Sequence, residues 1–144
     1  MADQYTRKLA NIIRDNALVQ YQYMPALGGA GATGVAVSVG AGPAWGSLVD
    51  LAAASGITTE FWVCGVALYT LGQLMVLEVQ LYNVALTRYF ANFKVDFTAA
   101  TLNVPPLLVP YPVYQAANSE IQARAGGTVA SKSVNAHLVY ATGF

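Results

Sequence analysis

From Ala17 to the end of the chain, apolar and polar residues alternate with a period of two, the mark of strands with one covered face. Val19, Tyr21 and Tyr23 alternate with Gln20 and Gln22, and Val35, Val37 and Val39 form a second run. A third run starts near Trp45 and ends on Ser47, Val49 and Leu51. Phe61 to Tyr69 is apolar at nearly every position, as in a strand covered on both sides. Met75, Leu77, Val79 and Leu81 point one way, while Glu78 and Gln80 point the other. Phe93, Val95 and Phe97 alternate with Lys94 and Asp96, and Leu107, Val109, Tyr111 and Val113 with Pro110 and Pro112. Ile121, Ala123 and Ala125 oppose Glu120, Gln122 and Arg124; Val134, Ala136, Leu138 and Tyr140 oppose Asn135 and His137.

About nine strands follow, separated by clusters of Gly, Pro, Asn and Ser. No amphipathic helix fits between them, which excludes parallel βαβ architectures and leaves an all-β, antiparallel sandwich or barrel. Prolines 110 and 112 donate no ladder hydrogen bonds, so their strand belongs at a sheet edge or carries a bulge.

The first 16 residues read differently. Asp3 caps a short helix with Tyr5, Leu9 and Ile12 on one face, and Arg7, Lys8 and Arg14 lie off that stripe. No second helix exists to pair with it, so residues 1–16 either pack on their own domain or reach a neighbouring subunit as an arm, helical or extended. Residues 17–144 then form one sandwich domain. Within it, the glycine-rich stretch 28–42 is expected to be a loop, either mobile or in close backbone contact with another subunit.

Composition narrows the function. Of 144 residues, 56% are hydrophobic and 10% charged, with 7 Lys and Arg against 7 Asp and Glu. Such a sparse, balanced set builds no basic stripe for phosphates, so no nucleic acid is expected as a partner. With charge so far below the usual quarter of residues, some apolar surface is expected against a protein partner. Phe61 to Leu77 is uncharged for 17 residues, near the lower limit of a membrane-spanning helix. Its Thr70, Gly72 and Gln73, and the alternation beyond Glu78, favour two buried strands joined by a turn, and no membrane is expected. Ala26 to Val49 holds seven glycines and Pro43, which rules out a spanning helix there. A single cysteine, Cys64, builds no disulfide framework, and no secretory leader pattern opens the chain, so a reducing compartment is expected.

Catalytic parts are scarce. Gly29, Gly31 and Gly34 spell G-x-G-x-x-G, but a strand pattern follows where a dinucleotide site needs a helix N-terminus. His137, the only histidine, falls on the polar side of the last strand and reads as a surface residue. There is no G-x-S-x-G elbow for it to serve. Cys64, between Val63 and Gly65, reads as a small buried hydrophobe with a raised pKa. Zinc would need more Cys or His than the chain has. No carboxylates are paired locally, though Glu60, Glu78 and Glu120 could converge in space. No enzyme, metal or cofactor is expected. Nine Tyr, five Phe and two Trp remain. Trp45, Trp62, Tyr111 and Tyr114 belong to a core or a subunit interface, or else stack on sugar rings.

A wider pattern runs through FWVCGVALYT (Phe61 to Thr70), Glu78 to Gln80, PPLLVPYPVYQAANSEIQARA (Pro105 to Ala125) and SVNAHLVYATG (Ser133 to Gly143). It resembles the small β-sandwich proteins of tailed bacteriophage virions, which include head decoration (cement) proteins. The resemblance covers about two thirds of the chain, from Trp45 onward, and leaves the N-terminal 40 residues outside it. It implies a jelly-roll-like fold and attachment to the major capsid protein, commonly as a homotrimer, on a capsid surface assembled in the host cytoplasm. The candidate partner interface is Tyr5, Leu9, Ile12, Trp45, Tyr111 and Tyr114. The alternatives are a sugar- or receptor-binding module of a virion fibre, a shell-forming capsid subunit, and a small hydrolase. A sugar site would need exposed aromatics beside Asn, Asp or Gln; a hydrolase would need His137 in a pocket.

Overall fold

The computed structural model describes residues 3–8, 21–26, 33–41, 44–69, 75–96 and 106–143. Residues 3–8 are helical. The rest of the regular structure is strand: β1 (Gln22–Met24), β2 (Val35–Ser38), β3 (Val49–Ala52), β4 (Phe61–Tyr69), β5 (Val76–Asn83), β6 (Arg88–Asp96), β7 (Leu107–Gln115), β8 (Ile121–Gly127) and β9 (Ser133–Ala141).

These strands form two antiparallel sheets. The five-stranded sheet runs β1-β9-β4-β7, and β2 also pairs with β9. The two short strands share one edge of β9, β1 opposite residues 138–140 and β2 opposite residues 133–136. The four-stranded sheet runs β3-β8-β5-β6. Read from β2 onward, the orders β2-β9-β4-β7 and β3-β8-β5-β6 are those of a jelly roll, the connectivity that alternation alone left open. The chain is an all-β sandwich of jelly-roll topology with a short N-terminal helix.

Alternation explains the core. On β5, Leu77, Val79 and Leu81 are fully buried between the layers with Met75 just before them, while Glu78 and Gln80 lie on the other face. Ile121, Ala123 and Ala125 of β8 meet them from the same sheet, and Val37, Phe61, Val63, Val66, Leu138 and Val134 close the core from the other. Each Val, Leu, Ile, Met or Phe side chain so removed from water stabilises the fold by about 1.5–3 kcal/mol before entropy is counted.

β4 breaks its own period. Val63 pairs with Tyr140 and Gly65 with Val139, so Cys64 is the extra residue of a bulge. On the other side Val63 pairs with Val113 and Gly65 with Leu108, so residues 109–112 swing out of the ladder. Pro110 and Pro112 lie in that stretch, on a strand that is also the sheet edge, so both expected placements hold at once. Gly65 permits this crossing: a Cβ there would sit 2.0 Å from the carbonyl oxygen of Leu107.

Two expectations change. The third strand begins at Val49, not near Trp45, because the chain has crossed to the four-stranded sheet by Val39 and residues 44–48 pass alongside β8 without forming a strand. Val39 bridges Ala125, and the Gly46 N–H donates to the Ala125 carbonyl at 2.8 Å. The glycine-rich stretch 28–42 is not one loop, since Val35–Ser38 is β2 and its register on β9 buries Val37. The two buried strands expected across Phe61 to Tyr82 form, β4 in the five-stranded sheet and β5 in the four-stranded one. Val19 and Phe97, and the segments 27–32 and 42–43, lie outside the described residues. Among the described residues, no helix is long and apolar enough to cross a membrane.

Candidate interaction surfaces

The outer face of the five-stranded sheet is apolar. Cys64 and Ala67 of β4 and Val139 and Ala141 of β9 form a second buried cluster, with Tyr23 of β1 packed against it. Burial pushes the Cys64 thiol up to about 11, and Tyr21 is raised by burial and then by the nearby thiol. His137 belongs to this face, opposite Ala67, and is wholly buried. The expectation of a surface histidine is therefore wrong. Alternation placed it correctly opposite the core residues, but that outer face is covered rather than wet. Nδ1 lies 2.6 Å from the Pro25 carbonyl oxygen, so Nδ1–H donates there. Nε2 is buried, with no hydrogen-bond partner among the described residues. The rings of Tyr69 and Tyr23 meet the imidazole edge-on, with centroids at 5.2 and 6.3 Å. Among the described residues, its partners are thus one carbonyl and two aromatic rings.

The N-terminal helix lies against one end of this sheet. Tyr5 packs on Tyr114 with ring centroids 4.7 Å apart, and Tyr114 meets Trp62 at 5.4 Å. Lys8 forms an ion pair with Glu60, and the Tyr114 hydroxyl donates to the other Glu60 oxygen at 3.2 Å. The Lys8 hydrogen bond holds Glu60 below the usual carboxylate range. Tyr114 is pushed up to about 12, first by its hydrogen bond with Tyr5, then by burial and Glu60. Of the two placements open to the N-terminus, Tyr5 and Lys8 take the one on their own domain; Leu9 and Ile12 lie outside the described residues. Farther along β7, Tyr111 in the swung-out stretch is 68% exposed and Leu108, just before it, 49% exposed.

The outer face of the four-stranded sheet is polar and partly open. Register sets its rows: Arg124 and Asn92 flank Gln80, and Gly126 and Lys94 flank Glu78. Arg124 is held between two aromatic rings, 4.1 Å from the centroid of Tyr89 and 4.8 Å from that of Trp45. Its Nε donates to Gln80 Oε1 at 2.9 Å, and Tyr89 in turn packs on Tyr82 at 4.9 Å. Trp45 lies over Gly126, where a Cβ would stand 3.1 Å from the indole. Trp45 lines two depressions, one of about 370 Å³ with Glu78, Lys94 and Thr128, and another of about 460 Å³ with Ser38, Gly40 and Ser47. Nearby, Gln122 donates to Asp50 at 2.7 Å and to Glu120 at 3.2 Å. Burial, then the hydrogen bond and charge of Asp50, raise Glu120 above the usual range.

The residues singled out from sequence thus divide. Tyr5 and Tyr114 come together, Tyr111 stands exposed on the same strand as Tyr114, and Trp45 belongs to the other layer. Glu60, Glu78 and Glu120 do not converge: each has a different partner, Lys8, Lys94 and Asp50 respectively. The Arg124 stack escaped the sequence because its rings come from positions 45 and 89, far apart in the chain. Among the described residues, no three of His, Cys, Asp and Glu gather as a metal site. Neither family models, nor curated proteins, nor solved structures gave a match to this chain.

Proposed function

We propose that the chain is a non-catalytic virion subunit, a decoration protein that binds the major capsid protein of a phage head and assembles there as a homotrimer. The sequence segments that resemble such proteins fall on β4, β5, β7, β8 and β9, so they build the inner strands of both sheets and one edge. The jelly roll is a recurrent fold of viral shells, although a fold alone does not fix a function.

The observation that carries the reading is the exposed apolar edge of β7. Leu108 and Tyr111 are largely exposed, yet residues 109–112 leave the ladder and two of them, Pro110 and Pro112, have no N–H. That edge is blocked against sheet extension, which protects it from indiscriminate strand pairing. Its apolar side chains remain available for specific docking, and exposed tyrosine is a favoured interface residue. In a chain with so few charges, such a surface suits permanent packing against a shell.

Cryo-electron microscopy of purified particles from the source that encodes the chain tests the reading. Density for the jelly roll at a fixed position on the outer shell surface, with the β7 edge at the contact, is the expected result. Particles that lack the chain altogether would overturn it.

A further inference from the structure

We propose that the outer face of the four-stranded sheet binds a neutral saccharide chain, with Trp45 as stacking platform and Arg124, Gln80 and Glu78 as hydroxyl-binding groups. The inference goes beyond shell attachment and does not depend on it, because Leu108 and Tyr111 belong to the other sheet.

A pyranose ring presents an apolar C–H face and a rim of hydroxyls that both donate and accept. Its recognition needs an aromatic plane held beside fixed polar groups. Trp45 supplies the plane. It is partly exposed, lies over Gly126, and lines two depressions of about 370 and 460 Å³. Both volumes fall in the range of small-ligand sites, roughly 300–1,000 Å³. Two depressions that share one indole as a wall suit consecutive residues of a chain better than one compact ligand.

Arg124 supplies the fixed donors. Rings on two sides immobilise its guanidinium, and among the described residues its one hydrogen bond runs from Nε to Gln80. Its remaining N–H groups are therefore oriented before any ligand arrives, which lowers the entropy cost of binding. Glu78 lines one depression as an acceptor with Lys94 beside it as a donor, and Ser38 and Ser47 line the other. Charge decides the class of sugar. Asp50, Glu78 and Glu120 on this face outnumber Arg124 and Lys94, which disfavours a uronate or sialate.

The test uses the full chain with cellohexaose, chitohexaose and maltohexaose as neutral probes and hexagalacturonate as the acidic one. Calorimetry gives affinity, and amide NMR locates the site through the indole N–H signals of Trp45 and Trp62. At least one neutral hexaose should bind saturably, with a Kd of roughly 0.1–1 mM, and shift Trp45 but not Trp62. Trp45→Ala should weaken that binding about tenfold or more, a change of about 1.4 kcal/mol. If that variant misfolds, Arg124→Lys together with the shift map replaces it, since lysine keeps the charge but loses the flat fork. No shift of Trp45 with any neutral probe at about 5 mM would overturn the proposal. So would binding that both variants leave unchanged, or a clear preference for hexagalacturonate.

Discussion

The side-chain amide of Asn83, at the end of β5, donates to the side-chain carbonyl of Gln115, at the end of β7, at 2.5 Å, and so ties one layer of the sandwich to the other. Both residues are buried. Asn83 Oδ1 is used as well, accepting from the Leu86 N–H at 2.8 Å in the turn that follows β5. The pair therefore fixes both the approach of the two sheets and the start of the β5–β6 hairpin.

A buried polar pair is costly to break from one side. Gln115→Leu leaves the Asn83 amide without its partner and should destabilise the domain by about 1–3 kcal/mol. The double variant Asn83→Leu, Gln115→Leu should cost less than the two single changes added together, because the amide–carbonyl pair is then removed whole and only the Leu86 N–H loses an acceptor. Urea midpoints of the four proteins check this; a Gln115→Leu protein as stable as the parent would refute it.

Leu77 and Glu78 are neighbours in sequence with opposite fates. Leu77→Ala removes a fully buried side chain between the layers and should cost about 2–5 kcal/mol. Glu78→Ala, on the outer face, should change stability by no more than about 0.5 kcal/mol. Denaturation of the two variants side by side separates them, and equal costs would mean that the register of β5 is wrong.

Glu60 makes the N-terminal anchor sensitive to acid. Its pKa is lowered from the ordinary 4.5 by the Lys8 hydrogen bond, so the folded state holds this proton less tightly than the unfolded chain. The contribution is complete above that ordinary value and disappears as pH falls through the lowered one. The Tyr5 and Tyr114 ring signals in NMR should lose their mutual contact over that acid range. Glu60→Gln should abolish the transition rather than shift it.

Cys64 should be inert while the domain is folded. With a thiol pKa near 11, only about one molecule in a thousand is a thiolate at pH 8, and the sulfur is buried. Iodoacetamide at that pH should label the native protein at least tenfold more slowly than the urea-unfolded protein. Comparable rates would mean that the outer face of β4 is open.

Much of this fold was legible in the pattern of the chain. β5 and β8 alternate cleanly because the outward side of their sheet is polar, and β4 shows no polar face because neither of its sides is wet. Pro110 and Pro112 announced an edge or a bulge because a missing N–H has few other places to go. What the pattern could not supply is long-range pairing. Strand order, the Asn83–Gln115 tie and the Arg124 stack each depend on residues more than thirty positions apart. His137 misled for a related reason: alternation reports which residues share a face, and only the fold shows whether that face meets water.

The central claim, that the β7 edge attaches this subunit to a shell, is tested most directly by add-back. Shells stripped of the chain are mixed with increasing amounts of purified protein and pelleted, in parallel with Tyr111→Ser. Tyr111 is 68% exposed, so that change should leave stability within about 0.5 kcal/mol. The account predicts saturable pelleting of the parent at a fixed number of copies per shell, and at least tenfold weaker pelleting of the variant. A folded parent that stays in the supernatant, or a variant that binds as the parent does, would contradict it.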